Sequence, residues 1–507
     1  MTGNLYDLLR ARFPAERGRP CIETAEGRVY TYADAEAISG RYARRLEQLG
    51  VTPGDRVAVQ VEKSPEAIFL YLACLRAGAI YLPLNTAYTT GEVRYFLGDA
   101  EPRLLVCRPE TAAALTPAAD QAGVAHVLTL DADGGGSLPA QAAALDPVAG
   151  CAPRDAGDTA AILYTSGTTG QPKGAMLSHR NLGSNALALH RIWGFRADDV
   201  LLHALPIYHT HGLFVATNCV LLNGTAMLFL RKFDTGEVIR LLPRATVMMG
   251  VPTFYTRLLA DPDFDRAVCG NMRLFISGSA PLLEETFAAF EARTGHCLLE
   301  RYGMTETGMN TSNPLDGERR PGTVGLPLPE VEVRVTDDAG TVLPADEIGT
   351  LEVRGPNVFS GYWRQPEKTA AEFRADGFFI TGDMARIDGR GYVHIVGRAK
   401  DLIISGGLNI YPKEVELHID GIDGVVESAV IGLDHPDFGE AVAAVVVRAE
   451  NRPDITAEAI VARLKGEMAG FKIPKRVIFV DELPRNAMGK VQKNLLRETC
   501  GSLPADA

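Results

Sequence analysis

The run Tyr164-Thr165-Ser166-Gly167-Thr168-Thr169-Gly170-Gln171-Pro172-Lys173-Gly174 sets hydroxyls, flexible glycines and one lysine close together. Glycines let backbone N–H groups turn toward anionic oxygens, hydroxyls add neutral donors, and Lys173 adds a mobile positive charge. Such a loop suits a polyphosphate, so the chain is expected to handle a nucleoside triphosphate. It is not a Walker A loop, which needs four residues between its glycines and a Lys-Ser/Thr pair directly after the second.

Three further stretches complement it. Arg301-Tyr302-Gly303-Met304-Thr305-Glu306-Thr307 supplies an aromatic ring able to stack on a base, a hydroxyl, and a carboxylate for Mg²⁺. Mg²⁺ keeps several waters and takes only one or two carboxylates beside phosphate oxygens, so a lone Glu306 is enough. Thr381-Gly382-Asp383 is followed by Gly397-Arg398-Ala399-Lys400-Asp401; Asp383 can accept both hydroxyls of a ribose, and Arg398 can brace sugar or phosphate. Pro484-Arg485-Asn486-Ala487-Met488-Gly489-Lys490 presents a lysine behind a glycine near the C-terminus.

Alternating strand and helix signals place these motifs. Thr31 to Asp34 reads as a capping box, and Gly50 stops its helix. Val57 to Val61 reads as a strand, Ser64-Pro65 as an N-cap with proline at the first helical position, Gly78 as that helix's end, and Ala79 to Leu82 as the next strand. Residues 108 to 157, rich in Ala, Pro, Asp and Gly, read as a connection between subdomains, and Thr159 to Tyr164 as a strand feeding the phosphate loop. His209-Thr210-His211 alternates like a strand. From about residue 320 short glycine-punctuated β pieces dominate, and the last hundred residues read as a small α+β unit. The fold class expected is α/β: a large N-terminal domain of several subdomains over 1–399, one of them β-rich, and a small mobile α+β domain over 400–507.

A net charge of −12 in 507 residues argues against a nucleic-acid partner. The eight cysteines show no CxxC pairing and read as buried free thiols, and the ten histidines show no metal-ligand spacing. No apolar run reaches the length of a membrane span and the N-terminus lacks a signal pattern, so a cytoplasmic protein without a membrane partner is expected.

The four motifs, in this order, resemble those of the acyl-adenylate-forming superfamily, which includes acyl-CoA synthetases, luciferases and adenylation domains of peptide synthetases. The resemblance covers about residues 5 to 497 and is strongest to malonate-activating CoA ligases. It implies a two-step reaction needing ATP, Mg²⁺ and coenzyme A: an acid displaces pyrophosphate to form an acyl-adenylate, and the CoA thiol then displaces AMP. It also implies that Lys490 bridges the attacking carboxylate and the phosphate, and that Mg²⁺ on Glu306 with the Thr165 and Thr305 hydroxyls holds the phosphates in line. The loop from Thr165 to Lys173, with Ser166, Gly167, Thr168, Thr169 and Gly170, would steady the pyrophosphate. Gly278-Ser279-Ala280-Pro281 and the stretch Glu300 to Thr305 would line the nucleotide site, Tyr302 stacking on adenine. His209 would gate the acyl pocket, Lys400 would act as hinge for the C-terminal domain, and Gly406-Gly407 would face pantetheine after a rotation.

Arg301 carries the clue to the acid. Many relatives hold a small residue there, and a guanidinium beside an acyl pocket implies a dicarboxylate such as malonate, gripped through a two-pronged pair. Ser277 and His209 would add donors, and Met304 and Met309 would wall a C2 methyl group, admitting methylmalonate. The competing reading of Arg301 is an internal ion pair with a pocket-side Asp or Glu, or a solvated side chain near Glu300. Competing functions are a ligase for another short-chain or aryl acid, an adenylation enzyme loading a carrier on a separate protein, and a non-catalytic nucleotide binder. A lysine acetyltransferase and deacetylase acting on Lys490 are expected regulatory partners, and the enzyme is expected to be a monomer or weak oligomer.

Overall fold

The computed structural model describes residues 3–165, 172–405, 408–435, 439–449, 452, 454–486 and 489–501. Ser166, Gly167, Thr168, Thr169 and Gly170 of the phosphate loop, and Gly406 and Gly407, lie outside them.

Four sheets carry the described residues. The largest has nine strands; its parallel centre runs Leu299–Met304, Leu274–Ser277, Val247–Gly250, Val200–His203, Ala226–Phe229 and Pro20–Thr24. Val247–Gly250 and Leu274–Ser277 are buried at every position, as parallel strands covered on both faces must be. The second sheet orders His126–Thr129, Leu104–Cys107, Arg56–Gln60, Ile80–Pro83, Thr159–Thr165 and Lys173–Ser178, the last pair antiparallel. The phosphate loop therefore joins two paired strands.

Local signals hold where they are short-range. Thr31 and Asp34 form the reciprocal capping box of helix Tyr32–Gln48. Ser64 caps helix Pro65–Ala77, and Gly78, at φ 70°, ends it in the left-handed region that glycine tolerates. That helix is buried on all sides, Glu66 and Arg76 included, because its apolar residues run right round it.

Two expectations are corrected. Residues 108–129 are not a mere connection: helix Pro109–Gln121 and strand His126–Thr129 complete the edge of the second sheet, where Leu104–Cys107 supplies a ladder. His209-Thr210-His211 is no strand. Thr210 already has helical φ and ψ, and His211–Thr217 is a π-helix, its Gly212 carbonyl accepting from the Thr217 hydroxyl at 2.9 Å. Such widened turns cluster at functional sites. The eight thiols are free, as expected, but Cys151 and Cys297 are half-buried rather than buried. Burial pushes Cys21, Cys74 and Cys219 up, leaving them core residues rather than nucleophiles.

The third sheet is four-stranded and antiparallel, from Glu332–Thr336 to Val393–Arg398. Its fully buried Glu352 accepts from Arg334 Nε at 2.8 Å, Arg374 Nε at 2.6 Å and Thr336 Oγ1 at 3.0 Å. Removing one partner of a buried pair strands the others, so Glu352→Ala is expected to cost about 3 kcal/mol, read as a lower urea midpoint. Glu352→Gln keeps an acceptor and should cost less.

Beyond the short 3₁₀ turn Ala399–Asp401, a fourth sheet stands on its own core. It pairs Val425–His435 with Gly439–Arg448, backed by helices Pro412–Asp420 and Ala457–Lys465. Ile460 and Leu464 are buried on the latter, while Val461 and Met468 pack against the same core. Among the described residues no helix is long and apolar enough to cross a membrane.

Candidate functional site

The predicted motifs converge at the carboxyl ends of the parallel strands, where open α/β sheets place their ligands. Strand Leu274–Ser277 ends at Ser277, and the chain turns through Gly278-Ser279-Ala280-Pro281, with Ser279 at φ 73°. A non-glycine residue held in that region is uncommon and marks a constrained turn. Next to this turn lies Arg301, 2% exposed. A Cβ on Gly278 would stand 2.6 Å from the Arg301 Cζ, so the guanidinium fits only because position 278 has no side chain.

Among the described residues, Arg301 Nε and Nη2 have no hydrogen-bond partner, nor do the buried Ser277 Oγ and His211 Nε2. The internal ion pair considered for Arg301 is thus not made. Burial draws its pKa down to about 10, opposed by Tyr255 and Glu300. Burial pushes Glu300 up to about 8, and its Oε1 accepts weakly from the Leu282 N–H at 3.4 Å. His209 is held at about 4 by burial and then by the charge of Lys490. His211 is depressed by burial and then by Arg301, and its Nδ1 lies 3.3 Å from Ser279 Oγ. The pocket therefore combines one cation with neutral imidazoles and a hydroxyl. Met309 is buried, its Cε 2.7 Å from where a Gly303 Cβ would be, and Met304 is half-buried.

At the other end, Glu306 is buried, with Oε1 3.3 Å from Thr165 Oγ1 and 3.1 Å from the Tyr362 hydroxyl. Burial raises its pKa, against backbone hydrogen bonding and Tyr362. Lys173 is not the mobile charge expected. It is buried, with Nζ 3.1 Å from Glu372 Oε1 and 4.2 Å from the Tyr362 ring centroid. Tyr362 also donates to Glu372 Oε2 at 2.7 Å, tying the base of the phosphate loop to Glu306. Tyr362 and Glu372 carried no signal in the sequence, since their role depends on partners far along the chain.

Asp383 and Arg398 face each other across antiparallel strands, with Arg398 Nε 2.7 Å from Asp383 Oδ1. The Tyr302 hydroxyl donates to Asp383, so this ring, this carboxylate and Arg398 form one unit. Lys490 arrives from the C-terminal unit. Its pKa is lowered, first by burial and then by Arg398, while Asp383 and Glu306 oppose the shift. As a residue Lys490 remains exposed to water. Lys400 is exposed in the 3₁₀ turn. Among the described residues no three His, Cys, Asp or Glu side chains gather to hold a metal by themselves.

Comparison with known proteins matches residues 10–363 to the AMP-binding enzyme family and residues 414–490 to the AMP-binding enzyme C-terminal domain. The chain is 37% identical to a feruloyl-CoA synthase of Amycolatopsis sp, covering 94% of this chain and 95% of that protein. It is 32% identical to a malonate–CoA ligase of Arabidopsis thaliana, covering 98% and 89%. It is 57% identical to ATP-bound MatB from Rhodopseudomonas palustris, covering 99% of each chain with a TM-score of 0.97. Against apo MatB, at the same identity and coverage, the TM-score is 0.86, so the chain as a whole superposes better on the ATP-bound form.

Proposed function

We propose that this chain, which belongs to the AMP-binding enzyme family, is a ligase that joins malonate, and methylmalonate, to coenzyme A with cleavage of ATP to AMP and pyrophosphate. A malonate carboxylate oxygen bonds to the α-phosphorus as the bond to pyrophosphate breaks. The CoA sulfur then bonds to the acyl carbon, AMP leaves, and the thiol proton passes to solvent.

The observation that carries the choice of acid is Arg301, buried with two N–H groups unpartnered beside Ser277 and His211. Overall likeness favours the same acid: malonate–CoA ligases and, at 57% identity, MatB are among the relatives, beside a feruloyl-CoA synthase at 37%. An aromatic acid would leave the guanidinium buried and unpaired at a cost of several kcal/mol, whereas the second carboxylate of malonate pairs with it. Ser277 and His209 would add donors, and Met304 and Met309 would wall the space around a C2 methyl group.

Lys490, between the acyl and nucleotide ends, would neutralise both the attacking carboxylate and the phosphate. Glu306 and Thr165 fit Mg²⁺: one buried carboxylate and one hydroxyl are hard oxygen donors that leave room for water and phosphate. That ion would supply charge neutralisation of the phosphates. Asp383 and Arg398 would hold the ribose, with Tyr302 against adenine. The unit from residue 400 would turn about Lys400 between half-reactions, bringing Gly406-Gly407 to pantetheine. Acetylation of Lys490 would remove its charge and stop adenylation. A cytoplasmic monomer or weak oligomer completes the reading.

AMP release with ATP, Mg²⁺ and CoA should be fastest on malonate and methylmalonate among malonate, methylmalonate, succinate, acetate, propionate and benzoate. A monocarboxylate winning that comparison would end the assignment. Gly278→Ala tests the pocket's shape: its methyl would displace the guanidinium, and the malonate KM is expected to rise about tenfold.

A further inference from the structure

Lys490 enters the cleft on a turn that the C-terminal unit builds for itself. The Asn486 N–H donates to the Lys490 carbonyl at 2.9 Å, the Lys490 N–H to Asn486 Oδ1 at 3.0 Å, and the Gly489 N–H to the Asn486 carbonyl at 2.9 Å. Arg485 donates to the Gly489 carbonyl at 2.6 Å and pairs with Glu427, fastening the turn to strand Val425–His435. Gly489 stands at φ 74°, where a side chain would be strained, and a Cβ there would meet Thr253 Oγ1 at 3.2 Å and Cγ2 at 3.6 Å. Gly489 thus packs closely against Thr253, a residue of the large domain.

Thr253 is itself held firmly. It follows Pro252, the first residue of helix Pro252–Ala260, directly after strand Val247–Gly250 and Val251. Its neighbour Phe254 stacks on Phe233 at 4.0 Å, Tyr255 donates to the Ile276 carbonyl at 2.6 Å, and Thr256 donates to the Thr253 carbonyl at 3.2 Å. A preformed turn therefore rests on a fixed platform, and in that pose the lysine feels Arg398, Asp383, Glu306 and Arg301.

We infer that Thr253 is a positioning residue that seats the Lys490 turn for adenylation and takes no part in thioester formation. This rests on the role given to Lys490 above. The contact is steric, so bulk at position 253 lifts the turn, and a displacement of about an ångström costs a catalytic group up to about a hundredfold.

The experiment compares Thr253→Leu, Thr253→Met and Thr253→Val in two assays on the full chain. One is carboxylate-dependent exchange of labelled pyrophosphate into ATP, run with whichever acid the wild type activates best. The other is release of AMP from the matching preformed acyl-adenylate by CoA. Leucine and methionine are expected to lower exchange about tenfold or more while leaving AMP release unchanged, and valine, which keeps the volume of threonine, to preserve both. Equal loss in both assays, unchanged exchange with both larger residues, or loss of exchange with valine would overturn the inference. A wrong acid shows in the wild type, and a wrong role for Lys490 shows as exchange surviving in Lys490→Ala, so neither is confused with failure of the Thr253 contact.

Discussion

Lys490→Ala is expected to lower malonate-dependent pyrophosphate exchange by about 10²–10³-fold, the range seen when one preorganised electrostatic donor is removed. A carboxylate and a triphosphate repel each other, and their approach concentrates negative charge at one point. Lys490, from the C-terminal unit, feels the charges of Arg398, Asp383, Glu306 and Arg301. Attack by CoA on a finished acyl-adenylate needs no such bridge, because the repelling pyrophosphate has left. AMP release from preformed malonyl-AMP should therefore survive in the variant. Loss of both half-reactions together would assign Lys490 a structural part instead.

Arg301→Met has two expected effects of opposite sign. With malonate, kcat/KM should fall about 10- to 150-fold, the equivalent of a charge-assisted hydrogen-bond pair worth about 1.5–3 kcal/mol. With propionate the loss should be absent, since no second carboxylate is there to be held. Without substrate, the variant should be more stable than the parent by about 1–3 kcal/mol, because an unpaired buried cation gives way to an apolar chain of similar length. Malonate activity and thermal midpoint measured on the same preparation check both. A variant that keeps its malonate preference, or one that loses stability as well as activity, would show that Arg301 holds the fold rather than the substrate.

Much of this was legible in the chain because it is local. Thr31 with Asp34, and Ser64 with Pro65 and Gly78, act over spans of a few residues, so helix ends follow from residue type alone. The motifs around Thr165, Glu306, Asp383 and Lys490 identified the chemistry because phosphate, ribose and metal each require particular donors wherever the chain supplies them. Other features depend on partners remote in sequence. Lys173 reads as a free phosphate ligand until Glu372, 199 positions away, is found to hold it. His209-Thr210-His211 alternates like a strand, yet packing against Ser279 and Arg301 accompanies a helical turn. Residues 108–129 carry weak signals of their own; Pro109–Gln121 forms a helix, and His126–Thr129 became strand because neighbouring Leu104–Cys107 offered unsatisfied backbone groups. The residue types pointed to a nucleotide and, through the family they resemble, to the reaction class and the acid. Whether Arg301 is paired or free, and which part of the large domain receives Gly489 and Lys490, were decided by the tertiary structure, since burial and partner choice are properties of the packed chain.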